Sequence, residues 1–365
     1  MTFGAQWKPA TAMLAINFAF AIVNLLLKKS IDDGLNHLVI VTYRQMVATM
    51  LLLPIAFFWE RKSRAEITAH IVCYLFFSAL IGVTLAQFLF LLGLQYTSAT
   101  FSCAFLNMVP VFTFVLALPF GLEKLNMKSI GGCAKLLGTM ICVVGALVLT
   151  FYRGMQLTHL HAQQATEDHA SMKHTPEKAK NWAAGSVLLA TGSLSWSSWF
   201  LLQARIGKMY PFQYSSSAIV SLFGAIQSAI LTLLIERRIS MWILKGKLEI
   251  IAVVYAGMVG SGLCYVGMSW CVKQKGPVFT SAFTPFTQIF VAFFDVFVLH
   301  EPVHLGSLLG SILVIIGMYT LLWGKNKEAK EVGTKQNQVA EEEGEDCSNS
   351  TVSHVIPVTI NPTTS

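Results

Sequence analysis

PVFTSAFTPFTQIFVAFFDVFVLHE occupies Pro277–Glu301, and PVHLGSLLGSILVIIG follows it over Pro302–Gly317. An earlier stretch has the same plan: ATFSCAFLNMVPVFTFVLALPFGLE over Ala99–Glu123, then LLGTMICVVG over Leu136–Gly145. Cys103-Ala104-Phe105 and Glu123 match Ser281-Ala282-Phe283 and Glu301 at an offset of 178. Leu136-Leu137-Gly138-Thr139 and Gly145 match Leu308-Leu309-Gly310-Ser311 and Gly317 at an offset of 172. The change of register means that the connector after Glu123 is six residues longer than the one after Glu301. One block has been doubled, and the chain reads in two halves.

The 365 residues are 54% hydrophobic and only 12% charged, whereas soluble domains carry about 25% charged residues. Mean hydropathy is +0.60. The apolar residues fall in long runs, so this is the composition of an integral membrane protein. Six of the seven cysteines lie in or at the ends of apolar runs, which points to packing and not to a disulfide framework. The net charge of +7 does not indicate a nucleic-acid partner, because the basic residues sit in short loops between apolar runs, where they set topology. A cleavable signal peptide is not expected, since the first apolar run is followed at once by others.

A helical span needs about 20 apolar residues. Ten stretches qualify: 10–28, 38–59, 71–94, 98–120, 133–151, 183–205, 212–235, 249–270, 277–299 and 304–323. The runs are too long for barrel strands and lack alternation, so the expected fold is an all-α polytopic membrane protein of ten transmembrane helices. The expected organisation is a first repeat over 1–151, a connecting loop over 152–182, a second repeat over 183–324 and a disordered cytosolic tail over 325–365. The loop holds His159, His161, His169 and His174, but no ligand spacing, so neither a metal nor a cofactor is expected. The tail is polar and carries the acidic run Glu341–Asp346. With both ends cytosolic, 14 Lys/Arg fall on the cytosolic side and 10 on the other, which favours that orientation. Each half has five spans, an odd number, so the second copy is inverted. In inverted-repeat membrane proteins the polar site lies where the copies meet.

The repeated unit of an apolar span, a terminal Glu, Leu-Leu-Gly-Thr/Ser and a second Gly seven residues on resembles the EamA unit of drug/metabolite transporters. Further features are similar to the plant Walls-Are-Thin-related, nodulin-21-like branch, whose members include amino-acid exporters. They are Tyr43-Arg44, Tyr96-Thr97-Ser98-Ala99-Thr100, Glu123-Lys124, Gly276-Pro277-Val278-Phe279 and Leu322-Trp323-Gly324-Lys325. The resemblance covers about residues 7–325. It implies an inverted-repeat carrier with a central cavity lined by spans 1, 3, 4, 6, 8 and 9, moving amino acids or related small metabolites outward or in both directions. The alternatives are an auxin-like organic acid as cargo, or a membrane receptor or scaffold that transports nothing.

Polar side chains in hydrocarbon are costly unless they face a partner or water. In the implicated spans they are Asn17 and Asn24 in span 1, Gln87 in span 3, Asn107 in span 4, Trp196 in span 6, Tyr265 in span 8, and Thr284 and Gln288 in span 9. Amides, hydroxyls and aromatics can hold a zwitterion without gripping it by a fixed charge, so these are the candidate substrate-binding residues; helix-to-helix glue is the competing role. Pro110 and Pro285 interrupt spans 4 and 9. Arg44, Glu123, Asp295 and Glu301 are the coupling or gating candidates, with Asp295 as the proton-coupling group. No phosphate loop, nucleophile elbow or paired metal ligand is present, so an enzyme is not expected. The expected partners are a small-molecule substrate, lipid and protons. The expected location is the plasma membrane, with the vacuolar membrane as the alternative.

Overall fold

The computed structural model describes residues 3–32, 36–60, 67–97, 102, 105–123, 129–152, 176–235, 242–244, 246–298, 305–306 and 308–328. These are helical almost throughout, and no strand occurs among them. Seven helices are long and apolar enough to cross a membrane: in α1 (Phe3–Asp32), α2 (His37–Glu60), α3 (Ala69–Tyr96), α7 (Gln213–Ile235), α8 (Lys247–Lys275), α9 (Pro277–Phe294) and α10 (Leu308–Glu328). Two shorter apolar helices are α4 (Phe105–Ala117) and α5 (Ile130–Phe151, apolar over Ile130–Gly145). With α6 (Pro176–Met209), a helix occupies each of the ten expected stretches. Large apolar side chains point outward, among them Phe58, Trp59, Met50, Leu234 and Tyr319, each about 70% exposed or more. Lipid covers such a surface; water would not.

Two boundaries differ from expectation. α6 begins at Pro176, inside the stretch read as connector, because proline is at home in the first turn of a helix and Glu177, Lys178 and Lys180 are good helix formers. α10 continues through Lys325–Glu328, four residues into the stretch read as tail, because Lys325 and Glu328 find charged partners there. The histidines of the connector, the acidic run and Glu301 lie outside the described residues.

The packing obeys the doubling. α5 and α10 cross with backbone against backbone: a methyl added at Gly138 would lie 2.7 Å from Gly317 O, and one at Gly145 would lie 3.0 Å from Gly310 O. Between them Cys142 Sγ meets Val314 O at 3.5 Å, and these two positions are themselves equivalent by the 172 offset. Rising numbers on α5 meet falling numbers on α10, so the equivalent helices are antiparallel. The second copy is inverted. α2 and α7 pair the same way, with Thr42 Oγ1 and Thr232 Oγ1 3.3 Å apart near one end and Glu60 at the other. There the Glu60 carboxylate accepts from Tyr214 N at 3.1 Å and Ser215 N at 2.8 Å, satisfying the free amides at the start of α7.

α3 and α8 each contain a wide helical turn, Ala79–Leu85 and Ala256–Cys264, at matching places in the two copies. Gly82 and Gly260, again 178 apart, sit inside these turns. Trp199 of α6 packs on Gly82 so closely that a Cβ there would collide with its ring, while Val23 of α1 packs on Gly260. Wide turns of this kind expose backbone and shift side-chain register, and they recur at functional sites.

Candidate functional site

The helices that the wide turns and prolines interrupt converge on one polar layer. α4 breaks at a turn at Met108, just before Pro110, and α9 breaks at Phe283-Thr284, just before Pro285. Pro285 has no N–H to give Ser281 O, and the Thr284 N–H takes that carbonyl instead at 2.9 Å. Across the two breaks Asn107 Nδ2 donates to Gln288 Oε1 at 2.8 Å. One break thus supplies an amide donor and the other an amide acceptor.

α1 and α6, which are equivalent, each tie a polar side chain to the helix just past a break. Thr287 Oγ1 donates to Asn17 Oδ1 at 2.7 Å. Ser197 Oγ donates to Val109 O at 3.2 Å. Gln87 Nε2 donates to Tyr265 OH at 3.4 Å, and these two residues are 178 apart. Two equivalent residues can touch only close to the axis that relates their copies. The polar layer therefore lies on the pseudo-two-fold axis, at mid-height in the bundle.

An aromatic wall closes one side. Trp196 stacks on Trp199 at 5.2 Å with an interplanar angle of 9°, and both rings lean on Tyr265, at 6.0 and 5.4 Å. Trp199 Nε1 is buried without a partner among the described residues. Gln87 also lines a void of about 10 Å³ with Thr84, Ser228 and Thr232, room for a single water. In this state the cross-half pairs Asn107–Gln288 and Gln87–Tyr265 are closed on one another.

Seven of the eight candidate binding residues lie in or beside this layer. Asn17, Asn107 and Tyr265 are buried, Gln87, Trp196, Thr284 and Gln288 half-buried. Asn24 stands apart: it is exposed, two turns beyond Asn17. The two asparagines are seven residues apart and nearly share a helical face, but two turns of rise, about 10 Å, separate their surroundings. Several participants escaped the sequence reading. Gln203 joins Ser78 at 3.2 Å and Ser269 at 2.9 Å, linking α3, α6 and α8 one step from the axis. Gln45, Ser261 and Thr287 also belong here. Gln45 and Gln203 carry the same signal as Gln87, an amide within an apolar run, but they lie in helices or at depths the reading passed over.

Of the charged candidates, Arg44 reaches from α2 to α8, its Nε donating to Ser261 Oγ at 3.3 Å. Asp295 lies in α9. Glu123 ends the α4 region and is 8% exposed; it accepts from Lys135 of α5 at 3.1 Å and from Lys325 of α10 at 3.2 Å. Lys135 also pairs with Glu328, and Lys325 Nζ donates to Lys275 O at 3.2 Å. The network joins α4 and α5 of one half to α8 and α10 of the other at a single end of the bundle. By the 172 offset, the positions matching Lys135, Lys325 and Glu328 are Ser307, Arg153 and Gln156. In sequence, the matching positions therefore carry neutral residues in place of one of the two lysines and one of the two acids.

A lipid-facing bundle of two inverted copies, meeting on their axis over amides and hydroxyls, defines a secondary-carrier architecture. The chain belongs to the EamA-like transporter family, whose model matches residues 7–151 and 183–323. It is 52% identical over 330 residues to WAT1-related protein At3g30340 of Arabidopsis thaliana, covering 90% of each chain. It is 50% identical over 326 residues to WAT1-related protein At4g01440 of the same plant, covering 89% of each. A solved crystal structure of another protein shares the fold, with a TM-score of 0.60 at 13% identity, covering 85% of this chain and 97% of that one. The chain is a membrane transporter of small molecules and not an enzyme.

Proposed function

We propose that this transporter moves amino acids, outward or in both directions, by alternating access. The two five-helix halves rock about the α5–α10 seam, and the polar layer on their shared axis is the cargo site. The observation that carries the reading is the set of cross-half pairs at mid-height, Asn107–Gln288 and Gln87–Tyr265. Each is neutral, each is a single bond, and each can trade its partner for a cargo atom with little change in energy. Asn17, Trp196 and Thr284 complete the lining.

The network around Glu123 holds one end shut. Its two lysines and two acids must part before that end opens. Asp295 is the residue to couple flux to protons. The plasma membrane is the proposed site of action, on the likeness to the plant relatives.

The test is flux of labelled amino acids in oocytes or proteoliposomes, at two external pH values, with auxin-like acids as a parallel panel. Amino-acid flux that Asn107→Ala or Gln288→Ala abolishes at unchanged surface level supports the reading. Undiminished flux in both variants removes the layer from the site. Flux of acids alone replaces the cargo assignment.

A further inference from the structure

We infer that Arg44, Gln45 and Ser261 form a docking point for the two charged ends of an amino acid, Arg44 taking the carboxylate and Gln45 the ammonium. The inference deepens the transporter reading above and rests on it.

Arg44 lies seven residues into α2, about 10 Å along its axis, within the apolar span. A guanidinium at that depth is costly unless something pairs with it. Its five N–H donors make one hydrogen bond among the described residues, from Nε to Ser261 Oγ. The ion pairs of the described residues gather instead around Glu123 and Glu328, at one end of the bundle. Arg44 is half-buried, and its Nη2 lies beside Gly260, where a Cβ would stand 4.0 Å away. The fork of the guanidinium is therefore spare, and it faces a position with no side chain.

Gln45 supplies an independent observation. Its side chain is 0% exposed, its Nε2 donates to the same Ser261 Oγ at 3.4 Å, and its Oε1 is buried with no partner among the described residues. A buried acceptor left empty is a standing cost, relieved when a donor arrives. A membrane arginine that simply reaches toward headgroups has no need of an orphan acceptor beside it. Spare donors on one residue and a spare acceptor on the next, both fixed on one hydroxyl, match a zwitterion: carboxylate oxygens for the first, ammonium hydrogens for the second.

Ser261 belongs to the wide turn of α8, and Tyr265 lies one helical turn further along the same face. The docking point is thus continuous with the Gln87–Tyr265 pair on the axis. The cargo's charged head sits between α2 and α8, and its side chain extends toward the Trp196–Trp199–Tyr265 wall.

The experiment compares uptake or efflux of phenylalanine, its carboxamide, and indole-3-acetate as an acid without an ammonium, in full-length protein. Arg44→Gln should lower flux of phenylalanine at least tenfold while leaving the carboxamide within twofold. Gln45→Met should lower phenylalanine flux and spare the indole acid. Equal loss of all three cargoes in Arg44→Gln at normal surface level would mean the arginine only holds α2 on α8. Unchanged selectivity would mean that it faces lipid headgroups, and either result overturns the proposal. Should Arg44→Gln fail to reach the membrane, Arg44→Lys decides. A selective rise in KM for phenylalanine supports the proposal, and parallel changes for all cargoes refute it. If the wild type moves none of the three, or any amino acid of a wider panel, the transport reading itself has failed, and this inference falls with it.

Discussion

The α5–α10 contact and the α4–α9 contact join the same two halves with opposite materials. In the first, backbone meets backbone over Gly138, Gly145, Gly310 and Gly317, and a methyl added at Gly138, Gly145 or Gly317 would enter a neighbour. In the second, helices already broken at Met108 and Phe283-Thr284 reach each other through one pair of amides, Asn107 and Gln288. Close glycine packing is lost as a whole when the helices separate, because no other surface fits so tightly. An amide pair can be exchanged for water or cargo at about 1 kcal/mol. The first contact is built to stay and the second to be opened. A carrier needs both in one interface.

The largest expected effect comes from breaking the permanent contact. Gly138→Leu or Gly317→Leu should cost at least the roughly 1–3 kcal/mol typical of an overpacked core, and should remove folded protein from a detergent size-exclusion profile. Gly207→Ala serves as the contrast: the nearest atom to an added methyl is 3.8 Å away, so a thermal melt should show no loss and a gain of up to about 1 kcal/mol.

Next in size is the charged end. Lys135 is 2% exposed, and Lys135→Met leaves Glu123 and Glu328 without their shared cation, which should cost about 3 kcal/mol. Adding Glu123→Gln should recover part of that loss, a coupling that a double-mutant melt would measure. Ser307→Lys, at the equivalent position of the second copy, should slow flux if the two ends are gates of unequal strength.

At the exchangeable contact the effects should divide differently. Asn107→Ala should change stability by only about 1 kcal/mol and yet abolish flux, since its role lies in cargo exchange more than in holding the halves. A flux loss matched by an equal loss of surface protein would erase the distinction drawn between the two contacts. The smallest effect is expected at Thr42→Val, which removes one hydroxyl from the α2–α7 pair and should shift the melt by well under 1 kcal/mol.

The doubling was legible in the sequence because it is written in residues with few substitutes. Glycine is needed wherever two backbones approach, so Gly138, Gly145, Gly310 and Gly317 mark both copies of the seam. Gln87 and Tyr265 were legible as a pair for the same reason, being unlike residues at one offset. The wide turns were not legible: an added residue per turn leaves no compositional mark, and only the match of Gly82 to Gly260 hints at them. Glu328 was hidden by the polar residues around it, which resemble a tail until Lys135 is seen to reach it. Gln45 and Ser261 were hidden by their ordinariness, since a glutamine and a serine in apolar helices are usually glue.

The meeting of Gln87 with Tyr265 on the axis also bears on why both copies reside in one polypeptide. In a dimer of identical five-helix chains that position would confront itself, phenol with phenol or amide with amide. Fusion lets the two sides of the centre diverge, and a lopsided centre can distinguish the head of a small molecule from its tail.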